Sequence, residues 1–249
     1  MSRLIVLCSA MSVIVMACGT EQTGSSSSSE APVFASNSDS IVGGTTTTEF
    51  PAVGTLSSTD LGGPFCTATL IGPRTVLTAA HCLDDVDASA FEFLTGPNSD
   101  TPTARFKASG GKQHPQWNSA KIENDIALVF LAEDASVDPL PTATALPSDV
   151  IGQKLRFVGY GVTNGTSQTG FGLKREVYVT VRELSDTQIK YSDKGKNTCN
   201  GDSGGPAFLQ VGGRWQIVGV TSFGDRGCTQ YGVDTRVDAF DAFISSNLR

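Results

Sequence analysis

The sequence predicts an all-β domain that ends in one α-helix. Short apolar stretches rich in Val, Ile, Thr and Phe alternate with turns of Gly, Pro, Asn and Asp, which is the pattern of strands joined by turns. At the C-terminus, apolar side chains recur at helical spacing in Phe240, Phe243, Ile244 and Leu248. The predicted architecture is therefore a β-rich domain with a C-terminal helix.

The strand signals are runs of four to eight residues bounded by turn residues. Five clear examples are residues 75–78, 126–130, 155–158, 176–181 and 215–220. Asn164-Gly165 is typical of a hairpin turn, because both residues tolerate a left-handed backbone. No internal repeat or second linker interrupts the chain after Ile41.

Composition limits the possible functions. The chain has 249 residues, enough for one large domain or two small ones. Charged residues make up 17% of it and the net charge is −7. Because no basic stripe is present, the sequence argues against a nucleic-acid partner.

The N-terminus is typical of an exported protein. Arg3 precedes an apolar run from Leu4 to Met16, which is shorter than the roughly 20 residues that a membrane span needs. We interpret residues 1–17 as a signal peptide. The sequence around Cys18 resembles a bacterial lipobox, so we expect lipidation of Cys18; cleavage near Ala17 with an incidental cysteine is the alternative.

Residues 18–40 are predicted to be a Ser-rich linker or propeptide, because Ser25 to Ser29 form a run and large apolar side chains are few. The lipid would attach this segment to a membrane. Residues 41–249 would form the folded domain, which contains four cysteines. An even number in an exported chain predicts two disulfides, and the sequence alone allows three pairings.

Three segments carry the residue types that peptide hydrolysis needs. A serine nucleophile requires an imidazole base, and the imidazole requires a carboxylate that fixes its tautomer. His81 lies in Leu-Thr-Ala-Ala-His-Cys, Asp125 in Asn-Asp-Ile-Ala-Leu and Ser203 in Gly-Asp-Ser-Gly-Gly-Pro. The alternative for each is structural: a Gly/Pro turn around Ser203 and a surface acid at Asp125. For the other histidine, His114, the structural interpretation is preferred.

These segments, in the order His, Asp, Ser, resemble the triad motifs of the trypsin/chymotrypsin family. The resemblance extends over about residues 41–249. It implies two six-stranded antiparallel β-barrels that pack around an active-site cleft. It also implies a serine endopeptidase that works through an acyl-enzyme, with His81, Asp125 and Ser203 as catalytic residues and protein or peptide substrates.

Further matches imply a zymogen. Ile41-Val42-Gly43-Gly44 is similar to the N-terminus that family members expose on activation. In the family, this new amine pairs with the acid before the nucleophile, here Asp202. The backbone N–H groups of Gly201 and Ser203 would then bind the oxyanion. Because Ser40 precedes Ile41, the resemblance implies an activating protease that is not of tryptic specificity.

The resemblance also implies disulfides and the absence of metal. It pairs Cys66 with Cys82 and Cys199 with Cys228. The loop after residues 94–96 lacks the two glutamates that bind calcium in some members. We therefore expect neither a metal nor another cofactor.

The substrate pocket can be assigned from the same resemblance. Asn197 falls at the base, followed by Thr198. Ser222, Phe223 and Gly224 match the strand that pairs with the substrate backbone. Gly224 and Gly232 match the wall positions, which implies an open, deep pocket. Because Asn197 is a neutral amide where tryptic members carry Asp, we expect large uncharged P1 side chains.

Two other classes of function stay open on the sequence alone. One is a catalytically silent homologue that acts as a binding protein in the cell envelope. The other is an envelope lipoprotein with a structural role. The leading hypothesis is a monomeric endopeptidase of the cell envelope that becomes extracellular after processing.

Overall fold

The computed structural model describes residues 41–249, and their strands form two antiparallel barrels. The predicted signal peptide, Cys18 and the linker lie outside the described residues. The first barrel closes in the order β2-β3-β4-β7-β6-β5. Its strands are β2 (Val53–Ser58), β3 (Gly63–Gly72), β4 (Thr75–Thr78), β5 (Glu92–Thr95), β6 (Ala104–Gln113) and β7 (Ala127–Leu131).

The core of the first barrel explains why two of its strands do not alternate between apolar and polar residues. All five residues of β7 are buried and apolar, and all four residues of β4 are buried, with a threonine at each end of Val76-Leu77. Phe93 and Phe106 fill the centre with their rings 6.3 Å apart. Burial of such aromatic side chains is a main source of stability in a β-barrel.

The second barrel follows the first along the chain. It closes in the order β9-β10-β13-β12-β11-β8, because β8 also pairs with β9. The short strand β1 adds to the edge of β9. The strands are β1 (Thr45–Thr46), β8 (Lys154–Gly159), β9 (Arg175–Leu184), β10 (Gln188–Tyr191), β11 (Pro206–Val211), β12 (Arg214–Gly224) and β13 (Gly232–Arg236). The expectation of two six-stranded barrels is therefore confirmed.

The chain ends in a helix that is shorter than the apolar spacing suggests. A 3₁₀ turn at Asp238–Phe240 continues into α1 (Asp241–Ser245). The side chains of Ser246 and Asn247 donate hydrogen bonds to the carbonyls of Ala242 and Phe243. Such local bonds compete with further helical turns, and Leu248 is left 48% exposed.

Two further expectations can be compared with the structure. His114 packs edge-on against Phe240 and Phe243, with ring centroids 4.9 and 5.0 Å apart, so its position is structural. The side chain of Asn164 accepts hydrogen bonds from the N–H groups of Thr166 and Ser167. Asn164-Gly165 is therefore a turn within the longer loop between β8 and β9, and not a two-residue hairpin.

No helix within residues 41–249 has the length and apolar character needed to cross a membrane.

Candidate active site

The pairing of two strands brings His81 and Asp125 together. His81 lies in a 3₁₀ turn, Ala80–Leu83, just after β4, and Asp125 lies just before β7. β4 and β7 are antiparallel neighbours, so the end of one strand meets the start of the other. His81 Nδ1 is 2.8 Å from Asp125 Oδ2, and the backbone N–H of His81 donates to Oδ1 at 2.9 Å.

Asp125 is a buried residue whose carboxylate has three polar contacts and whose backbone carbonyl has a fourth. Besides the two contacts from His81, Ser222 Oγ donates to Oδ2, and Thr235 Oγ1 donates to the backbone carbonyl at 2.9 Å. Burial opposes ionisation, but the bonds from His81 and Ser222 outweigh it and hold the pKa of Asp125 below its ordinary value. An ionised Asp125 fixes the proton on His81 Nδ1 and leaves Nε2 as an acceptor.

The loop that carries Ser203 lies beside this pair. The backbone N–H of Thr67 donates to the carbonyl of Ser203 at 2.9 Å. That same carbonyl is 3.8 Å from Sγ of Cys82, the residue after His81. Ser222 lines both the cavity that contains Ser203 and a second one beside His81. Ser222, which also contacts Asp125, therefore lies between the cavity at Ser203 and the one at His81.

The backbone around Ser203 presents free donors. Within residues 41–249, the N–H groups of Gly201 and Ser203 have no acceptor. Gly201 has a φ of +93°, and an added Cβ would lie 2.4 Å from the ring of Phe171. Only glycine adopts this backbone without strain. Two free donors at such a turn can bind a negatively charged oxygen.

Both expected disulfides are present in the structure. Cys66 is bonded to Cys82, next to His81, and Cys199 is bonded to Cys228. The sulfurs of Cys66 and Cys82 and a ring nitrogen of His81 lie within 4.8 Å of one another. Because both sulfurs belong to a disulfide, they offer no thiolate ligand for a metal.

Asp202 is a buried acid whose carboxylate accepts hydrogen bonds from backbone N–H groups within residues 41–249. It accepts hydrogen bonds from the N–H groups of Gly161 and Cys199, both at 2.8 Å. An added Cβ on Gly161 would lie 2.5 Å from this carboxylate, so only glycine fits there. Burial raises the pKa of Asp202 to about 7, although these bonds and Arg175 act in the opposite direction.

The segment that begins at Ile41 is docked on the second barrel. The side chain of Ile41 is buried in that barrel's apolar core. Asn197 donates its backbone N–H to the carbonyl of Val42 at 3.1 Å. An added Cβ on Gly43 would lie 2.2 Å from the carbonyl oxygen of Gly195. The start of the domain therefore packs directly against the residues that precede Cys199.

A cavity of about 230 Å³ opens beside Ser203. Most of the residues predicted for the substrate pocket line it: Thr198, Ser222, Phe223 and Gly224. Cys199, Asn200, Thr221, Asp225, Arg226 and Cys228 complete the wall. Its size suits one side chain rather than a whole ligand, for which pockets of roughly 300–1,000 Å³ are usual.

Asn197 and Gly232 do not line this cavity. The amide of Asn197 is engaged at both ends, because Nδ2 donates to the carbonyl of Tyr231 at 2.9 Å and Oδ1 accepts from the N–H of Thr198 at 3.0 Å. The ring of Tyr191 covers Gly232, since an added Cβ would lie 2.4 Å from it. Tyr191 therefore occupies space that the sequence suggested would be open.

Several residues at the site had no sequence signal. Thr67 and Thr235 hold the nucleophile loop and Asp125, yet neither belongs to the triad motifs. Tyr191 is the last residue of β10 and Asp234 is the middle residue of β13, and neither lines the cavity itself. Only the register of the strands brings these side chains to the site.

Comparison with known proteins agrees with this geometry. The family model described as "Trypsin" matches residues 41–244. "Melanization protease 1" of Drosophila melanogaster is 30% identical over 92% of this chain and 71% of its own length. "Brachyurin" of Leptuca pugilator is 31% identical over 64% of this chain and 76% of its own length. Because the family match covers well over half of the residues, the chain belongs to the trypsin family and is a serine-type endopeptidase.

Proposed function

We propose that the chain hydrolyses peptide bonds in proteins through an acyl-enzyme formed on Ser203, with His81 as the base and Asp125 as the acid that orients it. The observation that carries this proposal is the contact of the buried Asp125 carboxylate with Nδ1 of the half-buried His81, 2.8 Å away, beside the loop of Ser203. An ionised carboxylate at Nδ1 holds the imidazole in the tautomer that leaves Nε2 free to accept the proton, and it stabilises the imidazolium that forms during the reaction.

In the first half of the reaction, Ser203 Oγ attacks the scissile carbonyl carbon and its proton passes to His81 Nε2. The carbonyl oxygen becomes an oxyanion, for which the free N–H groups of Gly201 and Ser203 are the donors. The C–N bond then breaks as the imidazolium returns the proton to the leaving amine. In the second half, a water molecule attacks the ester with the same base, and Ser203 is regenerated.

The substrate would bind in extended form along β12. Ser222, Phe223 and Gly224 would pair with its backbone by β-augmentation, and the cavity beside Ser203 would take the P1 side chain. Besides Ser203, the hydroxyl residues that line this pocket are Thr198, Thr221 and Ser222. Asn197 and Gly232 do not line this cavity, so they would influence the P1 side chain only through the residues that form its wall.

The chain would be made as a zymogen that is activated by cleavage before Ile41. The buried carboxylate of Asp202 supports this, because its donors within residues 41–249 are neutral N–H groups and a cation would stabilise it. The new amine of Ile41 would be that cation. Asp202 adjoins both oxyanion donors, so its pairing would set their geometry.

The N-terminal sequence supports export. Residues 1–17 would direct secretion, lipidated Cys18 would hold the zymogen at the cell envelope through residues 18–40, and cleavage would release a monomeric extracellular enzyme. Ser40 before the cleaved bond points to an activating protease that is not of tryptic specificity. No cofactor enters this proposal.

The test is active-site labelling. The form cut before Ile41 should react with a fluorophosphonate probe at Ser203 and cleave a denatured protein substrate. Ser203→Ala should do neither while keeping its fold by circular dichroism. A correctly cut, folded protein that neither labels nor cleaves would favour the silent binding homologue or a structural lipoprotein.

A further inference from the structure

Lys174 is a buried cation that the proposed reaction does not use. It directly precedes β9, and only 2% of its surface is exposed. Its ammonium donates hydrogen bonds to the backbone carbonyls of Phe50 at 3.0 Å and Val53 at 3.4 Å. An ammonium has three N–H donors, and the third has no acceptor within residues 41–249. Lys174 is therefore a buried charge with one hydrogen bond left to donate.

No carboxylate balances this charge within the described part of the chain. Glu49, which directly precedes Phe50, pairs instead with Arg156, with its Oε2 2.7 Å from Nη2. Burial lowers the pKa of Lys174 to about 8, so the side chain is still mostly protonated at neutral pH. The two carbonyls solvate the ammonium in part, but a buried cation without an opposite charge is unfavourable. An anion bound beside Lys174 would offset this cost.

Lys174 lines a cavity of about 130 Å³, which has room for one small ion and a few waters at about 30 Å³ each. The cavity lies mainly among three segments that are distant in sequence: the one before β2, the loop between β5 and β6, and the start of β9. Its other lining residues are Thr48, Pro51, Thr95, Gly96, Pro97, Thr103 and Val137. Since Lys174 is the only charged residue in this lining, the wall of the cavity favours a negative ligand.

Three hydroxyls lie around the same cavity. Thr48, Thr95 and Thr103 line it, and none of their side chains has a hydrogen-bond partner within residues 41–249. Thr95 is only 3% exposed, so the cavity is where its hydroxyl can find one. A hydroxyl can donate or accept, but a ligand that also accepts from the ammonium has to be an acceptor. An anion satisfies both kinds of group through charge-assisted hydrogen bonds.

We propose that Lys174, together with Thr48, Thr95 and Thr103, forms a binding site for a small monovalent anion of the size of chloride. One ammonium balances one negative charge, and the cavity is well below the volume usual for a drug-sized ligand. The ion would link the segment before β2, the loop between β5 and β6 and the start of β9. Because it would bind only the folded chain, it would stabilise the fold. The inference does not depend on the proposed peptidase function.

The test measures the Tm of the full chain with Ser203→Ala, a background that prevents self-cleavage. Sodium chloride replaces sodium gluconate at constant ionic strength, and gluconate is the reference because it is a much bulkier anion. Lys174→Met removes the ammonium and keeps a long unbranched side chain. Lys121→Met, which removes an exposed cation, is the matched control.

We expect chloride to raise the Tm in a saturable way by about 2 °C or more. Lys121→Met should show the same rise and Lys174→Met none. In crystals grown with bromide in place of chloride, the anomalous signal should place an ion within hydrogen-bond distance of Lys174 Nζ. If Lys174→Met does not fold, Thr95→Val decides. It keeps the charge but removes one donor, so half-saturation should need about three-fold more chloride or higher.

Three results would overturn the anion site. They are equal Tm values in the two salts, an equal chloride response with and without the Lys174 ammonium or the Thr95 hydroxyl, and bromide bound only elsewhere, which would leave the cavity to water. None of them bears on the labelling of Ser203, so a failure of this inference is distinguishable from a failure of the proposed function.

Discussion

The hydroxyl of Thr67 donates a hydrogen bond to the carbonyl oxygen of Gly201 at 2.8 Å, across 134 positions of sequence. Thr67 belongs to β3 of the first barrel, whereas Gly201 belongs to the nucleophile loop of the second. The same hydroxyl accepts from the N–H of Tyr160 at 3.2 Å, and the backbone N–H of Thr67 donates to Ser203. One strand residue therefore holds the predicted oxyanion donors of the other barrel in place.

Thr67→Val should test this role, because it removes the hydroxyl and keeps the branched shape. We expect the free energy of unfolding to fall by about 1–3 kcal/mol, since two buried backbone groups lose a partner. The kcat should fall by roughly ten-fold or more with little change in KM, because the loop would hold its donors less firmly. Denaturant titration and steady-state kinetics measure the two effects.

Thr55→Val is the matched control for Thr67→Val. Thr55 lies opposite Thr67 on β2, and its hydroxyl is buried with no hydrogen-bond partner within residues 41–249. Its loss should leave both stability and kcat nearly unchanged. Equal effects of the two substitutions would show that the Thr67–Gly201 bond has no special role.

Ser203 and His81 should act as a unit. Ser203→Ala should lower kcat by several orders of magnitude, since only the transition state uses the hydroxyl. His81→Ala should cost a similar amount, and the double variant little more than either single one. Single-turnover kinetics on all three variants, with fold checked by circular dichroism, give the comparison. Additive losses would contradict a shared proton-transfer step.

The raised pKa of Asp202 predicts a pH-dependent stability of the uncleaved chain. With a pKa of about 7 in the folded state and an ordinary value of 3.8, the folded protein binds more protons than the unfolded one between these values. The free energy of unfolding should therefore fall as pH rises from about 4 to 7. Relative to Asp202→Asn, the fall should be on the order of a few kcal/mol.

The matched comparison is the chain cut before Ile41, studied in a Ser203→Ala background that prevents self-cleavage. If the amine of Ile41 pairs with Asp202, it lowers the pKa of the carboxyl and the fall with pH should shrink. Chemical denaturation at several pH values measures how the free energy of unfolding depends on pH in the cut and uncut chains. Identical pH profiles before and after cleavage would argue against the Ile41–Asp202 pair.

Much of the fold could be predicted from the sequence because its signals are local. Residues 75–78 match β4, and the other four predicted runs overlap strands β7, β8, β9 and β12. The helix was predicted too long, since Leu248 fits the apolar spacing but Ser246 and Asn247 bond to the last turn. The polar side chains that end the helix carry no periodic signal.

The site was predictable where chemistry requires a contiguous motif. His81, Asp125 and Ser203 each lie in such a motif; the structure brings His81 and Asp125 into contact and places Ser203 beside Cys82, the residue after His81. The floor of the pocket was not predictable in the same way. Tyr191 and Asp234 meet because β10 pairs with β13 in a particular register, and a residue pattern along one strand does not reveal its neighbour.

The N-terminal sequence predicts a membrane-tethered precursor that becomes soluble. If Cys18 carries lipid, residues 19–40 form a tether with an r.m.s. reach of about 25 Å as a flexible coil. In the proposed activation, a free amine on Ile41 is required, and cleavage before Ile41 would sever the tether. All four cysteines of the domain are engaged in disulfides, so none is left to retain the propeptide.

Cell fractionation with N-terminal sequencing tests this directly. The active species should be soluble and begin at Ile41, while the membrane-bound species should begin at a lipidated Cys18. Cys18→Ser should release the uncleaved precursor from the membrane without activating it, because the amine of Ile41 would still be blocked. The hypothesis fails if a membrane-bound chain that retains residues 19–40 is fully active, since tethering and activation could then coexist.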